Sequence, residues 1–344
     1  MHHPMTPTAS RRNRATAHRD DPLPPQWPSF TGNSQFVGTS PSGRVTVFVD
    51  PSLGPPALQN AQDLVNDADR VVAANDALFG TTGGPASAIV FALGGATDGR
   101  GGADHLGCDY ITGAAIEVCA SFDNSARVSA LFEAELSECS MGGNLCGVST
   151  GEALSRWCAS VISNNALSDF VTAPRWAQDG MPDYVNQTDP TDRDADSTGC
   201  AIAFLSWLMS LGHALGEIAP AMVSLGDSGT LAQLYENLTH DAAANAFPAF
   251  IAAVQALPGG VTNDDPFGGS SQPAQLAHVA PWAVELAGKV FAAILADVSS
   301  GKTAHQITAS VRAILVSAPA SKSSRAAAAG CCTVNKSRRL LPPA

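Results

Sequence analysis

Apolar and polar residues alternate over 44–50, RVTVFVD, and three of the apolar positions are valine, which is the pattern of a half-buried strand. The period then lengthens to that of a helix. Leu58, Ala61, Leu64, Val65, Ala68, Val71, Val72 and Leu78 recur at helical spacing, and Gly80 stands where such a helix should stop. A second strand is expected at 87–93, SAIVFAL, followed from Gly94 by a Gly/Asp loop, GGATDGRGGADHLGCDY. IEVC at 116–119 reads as a short strand closed by the turn SFDNS. Beyond it the pattern is helical at 125–139, 152–162, 200–211 and 231–238, and two Ala-rich helices are expected at 281–298 and 303–316. Strands early and helices late predict an α+β fold, a small N-terminal sheet with helices followed by a mostly α-helical lobe. The expected boundaries are a disordered, basic and Pro-rich tail over 1–40, a globular body over 41–258, a linker over 259–272, a C-terminal helical pair over 273–318 and a disordered tail over 319–344.

Composition narrows the function classes. With 45% hydrophobic and 15% charged residues in 344, the chain can bury a real core, so one large or two smaller soluble domains are expected. Its 19 basic residues are unevenly placed: residues 1–19 carry four Arg and residues 321–344 carry five Lys/Arg. Without those nine, ten basic residues face 31 acidic ones, a body at −21 that repels phosphate backbones and is no nucleic-acid binder. The most apolar run, CAIAFLSWLMSL at 200–211, is too short for a membrane span. No secretory signal is visible in the first thirty residues, whereas the cysteines point toward export: Cys108/Cys119 and Cys139/Cys146 are spaced to close small disulfide loops, the alternative being buried thiols.

The chemistry concentrates in SARVSALFEAELSEC, 125–139. On a helix capped by Ser125, at roughly 100° per residue, Val128, Leu131, Phe132, Leu136 and Cys139 form one stripe. Glu135 falls inside that stripe, Glu138 lies at its edge and Glu133 points away. A buried carboxylate must find a cation, a metal or strong donors, or else take up a proton. Glu135 therefore has either a structural ion-pair partner, with Arg156 and Arg127 as candidates, or a catalytic role. His105, in the loop that precedes this helix, is either a surface histidine or, with Glu135, Glu138 and Asp104, part of a mixed His/carboxylate site suited to zinc, manganese or iron.

A strand and turn leading into a helix that reads AELSEC, followed by a helix opening GEALSR, resembles the gluzincin arrangement of thermolysin-like metallopeptidases. In that family the first helix carries H-E-x-x-H, two imidazoles on a zinc with the Glu as general base, and a later helix supplies a Glu as third ligand. Laid onto this sequence, Ala134 and Glu138 stand at the two His positions, Glu135 matches the general base and Glu152 the third ligand. The resemblance covers about residues 40–240 and lacks both imidazoles of the motif. These stretches, with MPDYVNQTDPTDRDADSTGCAI, also look close to a group of bacterial proteins from which no activity carries over. The resemblance implies a zincin-like fold and a degenerate metallopeptidase-like hydrolase. Glu135 would activate water there, and His105, Glu138 and Glu152 would hold a non-standard metal. The rival is a catalytically inactive relative that binds a protein or peptide outside the cell.

Two of these positions have alternatives. Glu152 also fits a capping box with Ser149, and Asp192, Asp194 and Asp196 are spaced like the start of a calcium loop, against N-capping of the following helix by Asp196, Ser197 or Thr198. A phosphate loop is not expected, because Gly94–Gly102 lacks both a Lys and a following helix. Nor is a serine hydrolase expected.

Overall fold

The computed structural model describes residues 21–106, 114–164 and 166–271, with positions 300 and 302. The expected helical pair at 273–318 and the tail at 319–344 otherwise lie outside the described residues, as do residues 1–20 and Cys108. The chain divides into two units, Met1–His278 and Val279–Ala344, and every element described belongs to the first.

The fold is α+β. Five strands form one mixed sheet, β1 (Gln35–Thr39), β2 (Val45–Val49), β3 (Ala86–Phe91), β4 (Ala103–Leu106) and β5 (Ala114–Cys119), in the order β1-β2-β3-β5-β4. The central three run parallel, and the edge strands β1 and β4 are antiparallel to their neighbours. Central parallel strands are covered on both faces, which is why β3 reads ASAIVF, almost continuously apolar. Helix α1 (Pro55–Phe79) makes the crossover from β2 to β3 and ends at Gly80, whose φ of 66° supplies the left-handed stop that the sequence predicts. Helix α2 (Ser125–Ser140) follows β5, and both helices pack on one face of the sheet through Ala61, Leu64, Val47, Ile116, Val128 and Phe132.

The second core lies among α3 (Ser149–Ile162), α4 (Thr172–Gln178), α5 (Ala195–Ser210), α6 (Leu215–Leu225), α7 (Leu231–Thr239) and α8 (Ala246–Gln255). Trp157, Trp176, Phe204 and Phe250 fill it. Strands β1 and β4 and helices α4, α6 and α8 have no counterpart among the expected elements. The strands are short edge strands, α4 has seven residues, and α6 carries Pro220 inside it, so none shows a sustained period.

Both expected boundaries of the body move outward. Residues 27–39 are not tail: Trp27 and Phe30 pack with Phe48, Ile89, Phe91 and Ala115 on the sheet face opposite α1 and α2, and β1 extends the sheet. Nor is 259–271 a free linker, since Asp264 is buried and Gly269 packs so closely on the Ser206 carbonyl that an added Cβ would lie 2.4 Å from its oxygen. Cys119, Cys139, Cys158 and Cys200 are buried thiols, so neither expected disulfide loop, Cys108/Cys119 or Cys139/Cys146, is made.

Candidate metal centre

The site is assembled from the antiparallel edge strand and the two helices beside it. In the β4–β5 register His105 pairs with Ile116 while Asp104 pairs with Glu117. Because side chains alternate along a strand, His105 shares the face of Ile116, the face on which α2 lies. Helix α2 presents Glu135 and Glu138, three residues apart and therefore on one side of the helix. Helix α3 brings Glu152 in its first turn and Ser155 one turn on.

His105 Nδ1 lies 2.7 Å from Glu135 Oε2 and 3.8 Å from Glu138 Oε2. One ligand atom from each of the three residues falls within 4.8 Å of the others, the one such group of three or more His, Cys, Asp or Glu among the described residues. Ser155 Oγ donates to Glu138 Oε1 at 3.1 Å, and the Glu152 carboxylate lies near enough to Glu138 to help raise its pKa. Glu152 thus reaches the cluster without joining the group of three. It also lines, with Ala134, Arg156 and Phe170, a cavity of about 140 Å³.

So many carboxylates around one imidazole cannot all be ionised. Burial, then the charges of Glu135 and Glu152, push the Glu138 carboxyl up to about 10, so it is protonated at neutral pH. Burial also raises Glu135, against the opposing pull of His105. For His105 burial disfavours the imidazolium, but the hydrogen bond and charge of Glu135 outweigh it and the net shift is upward. The cluster holds more carboxyl groups than cations, and it offers one borderline nitrogen and several hard oxygens. That donor set fits zinc, manganese or iron and does not suit a thiolate-seeking metal.

Several sequence expectations change. The ion pairs foreseen for Glu135 are not formed: Arg127 pairs with Asp169, and Arg156 donates to Asp264 at 3.2 Å. Glu135 is bonded to His105 instead, which places it among the ligand candidates and away from the role of free base. The capping box is absent, because the N-cap of α3 is Val148 with no side-chain cap bond and Ser149 is already helical. Asp192, Asp194 and Asp196 do not converge as a calcium site. Asp194 is the N-cap of α5, accepting from the Asp196 amide at 2.9 Å, and Asp196 pairs with Arg175 at 3.2 Å.

Two features go beyond those expectations. Glu133, expected to point away from the apolar stripe, is fully buried, because α2 is enclosed by the sheet, α1 and α3 and has no free face over this turn. GVSTG at 147–151 spells G-x-S-x-G. A nucleophile elbow needs a strand running into the helix and an exposed serine. Here turns precede α3, Ser149 is buried, and its amide donates to the Asp189 carbonyl, so the spelling does not make an elbow. Burial pushes the thiols of Cys158 and Cys200 upward, which leaves them inert as nucleophiles.

No protein family, no curated protein and no solved structure matches this chain. Among the described residues no helix is long and apolar enough to cross a membrane.

Proposed function

We propose that the chain is a zincin-like, metal-dependent hydrolase acting on peptide-like substrates, with a divalent ion held by His105, Glu135 and Glu138. The observation that carries the reading is the convergence of three ligand atoms within 4.8 Å from an edge strand and a helix. Such an ion supplies Lewis-acid polarisation of a substrate carbonyl. The chain's residues do the rest. Ser155 orients Glu138 through its hydroxyl, and Glu135 fixes the His105 ring. Glu152, with 28% of its side chain exposed and facing the cavity beside the cluster, is the carboxylate placed to accept a proton. In this reading the general base moves from Glu135, where the motif resemblance puts it, to Glu152.

A second reading is a metal-free relative that binds a protein or peptide outside the cell. It is favoured by the 2.7 Å His105–Glu135 bond and the Ser155–Glu138 bond, which give the cluster partners without an ion. Elemental analysis of the purified, untagged chain by mass spectrometry, before and after chelation, separates the two. Stoichiometric zinc, manganese or iron is expected, with affinity at least about tenfold weaker in Glu138→Ala. A chain that purifies without transition metal and takes none up removes the hydrolase reading and leaves the binding module.

A further inference from the structure

We infer that Asp264 is a positioning residue for this cluster: it holds Arg156 beyond hydrogen-bond distance of Glu152 and so leaves the Glu152 carboxylate beside Glu138. The inference rests on the metal-site reading and adds to it a residue from the segment expected to be a linker.

Glu152 and Arg156 are four residues apart on α3, the spacing at which an acid and a guanidinium close an ion pair. They close it only loosely, with Arg156 Nη1 3.8 Å from Glu152 Oε1, beyond hydrogen-bond distance. Arg156 Nη2 instead donates to Asp264 Oδ2 at 3.2 Å, and the guanidinium lies over the Phe170 ring, 4.8 Å from its centroid. Asp264 is itself fixed, accepting from the Ala173 amide at 2.7 Å and from Thr172 Oγ1 at 3.2 Å where α4 begins. Both side chains of this pair are close to fully buried, 11% and 5% exposed. A buried guanidinium that loses its partner carboxylate must take another, because an unpaired charge in that setting is strongly destabilising. The acid within reach is Glu152. Released from Asp264, Arg156 would close on Glu152, draw it from Glu138 and place a positive charge beside the cation site. Asp264 thus keeps this guanidinium at a distance from the ligands.

The test uses the full chain and zinc alone as probe, by competition with a fluorescent chelator. Asp264→Asn keeps an acceptor for the Ala173 amide and removes the charge. It is expected to weaken zinc binding about tenfold, the effect typical of a residue behind the ligands. Adding Arg156→Gln to it should bring affinity back to within about threefold of the parent, since the competing cation is then gone, a non-additivity that lost stability would not produce. Unchanged affinity in Asp264→Asn, or a loss that Arg156→Gln does not rescue, overturns the inference. If the parent chain binds no zinc, the metal reading fails separately, and a metal-free crystal structure of Asp264→Asn decides the positioning role. Arg156 closed onto Glu152 supports it, and Arg156 still over Phe170 overturns it.

Discussion

Glu133 shows what a buried carboxyl does when no cation comes close enough to pair with it. Its Oε1 lies 3.2 Å from Ser137 Oγ, which lies 3.0 Å from Asn75 Oδ1, and Asn75 Nδ2 donates onward to Ser140 Oγ, itself bonded to the Leu136 carbonyl. The chain of donors runs in one sense if Glu133 is protonated and gives its proton to Ser137, leaving Ser137 free to donate to Asn75. Burial raises the Glu133 carboxyl well above its ordinary value, in agreement with that arrangement. A group whose folded value is raised contributes fully to stability below the unfolded value near 4.5, and that contribution is lost as pH climbs toward the folded one. Glu133→Gln resembles the protonated form and cannot ionise. It should match the parent near pH 4 and become the more stable of the two as pH rises, the gap widening by up to about 1.4 kcal/mol per pH unit. Urea denaturation of both proteins across that range reads it directly, and parallel stability curves would show that Glu133 is ionised and paired in the fold.

Helix α2 is legible in the sequence as an element, but its environment is only half legible. Its apolar period, its two exit glycines at 142–143 and the oddity of Glu135 all stand in the sequence, and the residue types alone group His105, Glu135 and Glu138 as one candidate site. Periodicity does not give the number of helix faces that become covered, which depends on α1 and α3 docking from two sides, so a helical wheel points Glu133 away from the apolar stripe. Strand β4, which aims His105, has no sequence signal either, because ADHL is four residues long and half exposed. The same helix carries a test of the family resemblance. Ala134, at the first imidazole position of the motif, lines the cavity of about 140 Å³ with Glu152. Ala134→His has room for its ring there and would place a nitrogen ligand one turn before Glu138. Zinc affinity should tighten at least about tenfold. A folded variant with the parent's affinity would mean that α2 does not face its cluster as a zincin helix does, and the resemblance would fail there.

At the scale of the whole body, both flanks that read as tail and linker are fastened by carboxylates buried beneath them. Asp264 secures the C-terminal one. On the other side Glu117, fully buried on β5, accepts from the Ser29 amide at 2.9 Å, the Ser29 hydroxyl at 2.6 Å and the Phe30 amide at 2.5 Å. Those bonds span 87 or 88 residues, and nothing local in IEVC or in PQWPSF announces them, so a stretch of prolines and polar residues has the signature of disorder. The N-terminal segment covers the second face of the sheet, with Trp27 edge-on to Phe48 and Phe30 against Phe91. A buried carboxyl group on a central strand is tolerable only while those donors are present, so the segment and the acid stabilise each other. Glu117→Ala leaves two amides and a hydroxyl without their acceptor, and should cost about 3 kcal/mol. Glu117→Gln, which keeps an acceptor oxygen, should cost less. Hydrogen exchange distinguishes a fastened segment from one that merely lies on the sheet. In the fastened case the amides of Ser29 and Phe30 lose protection in Glu117→Ala while those of β3 keep theirs, and retained protection at 29–30 would show that Trp27 and Phe30 hold the segment by packing alone.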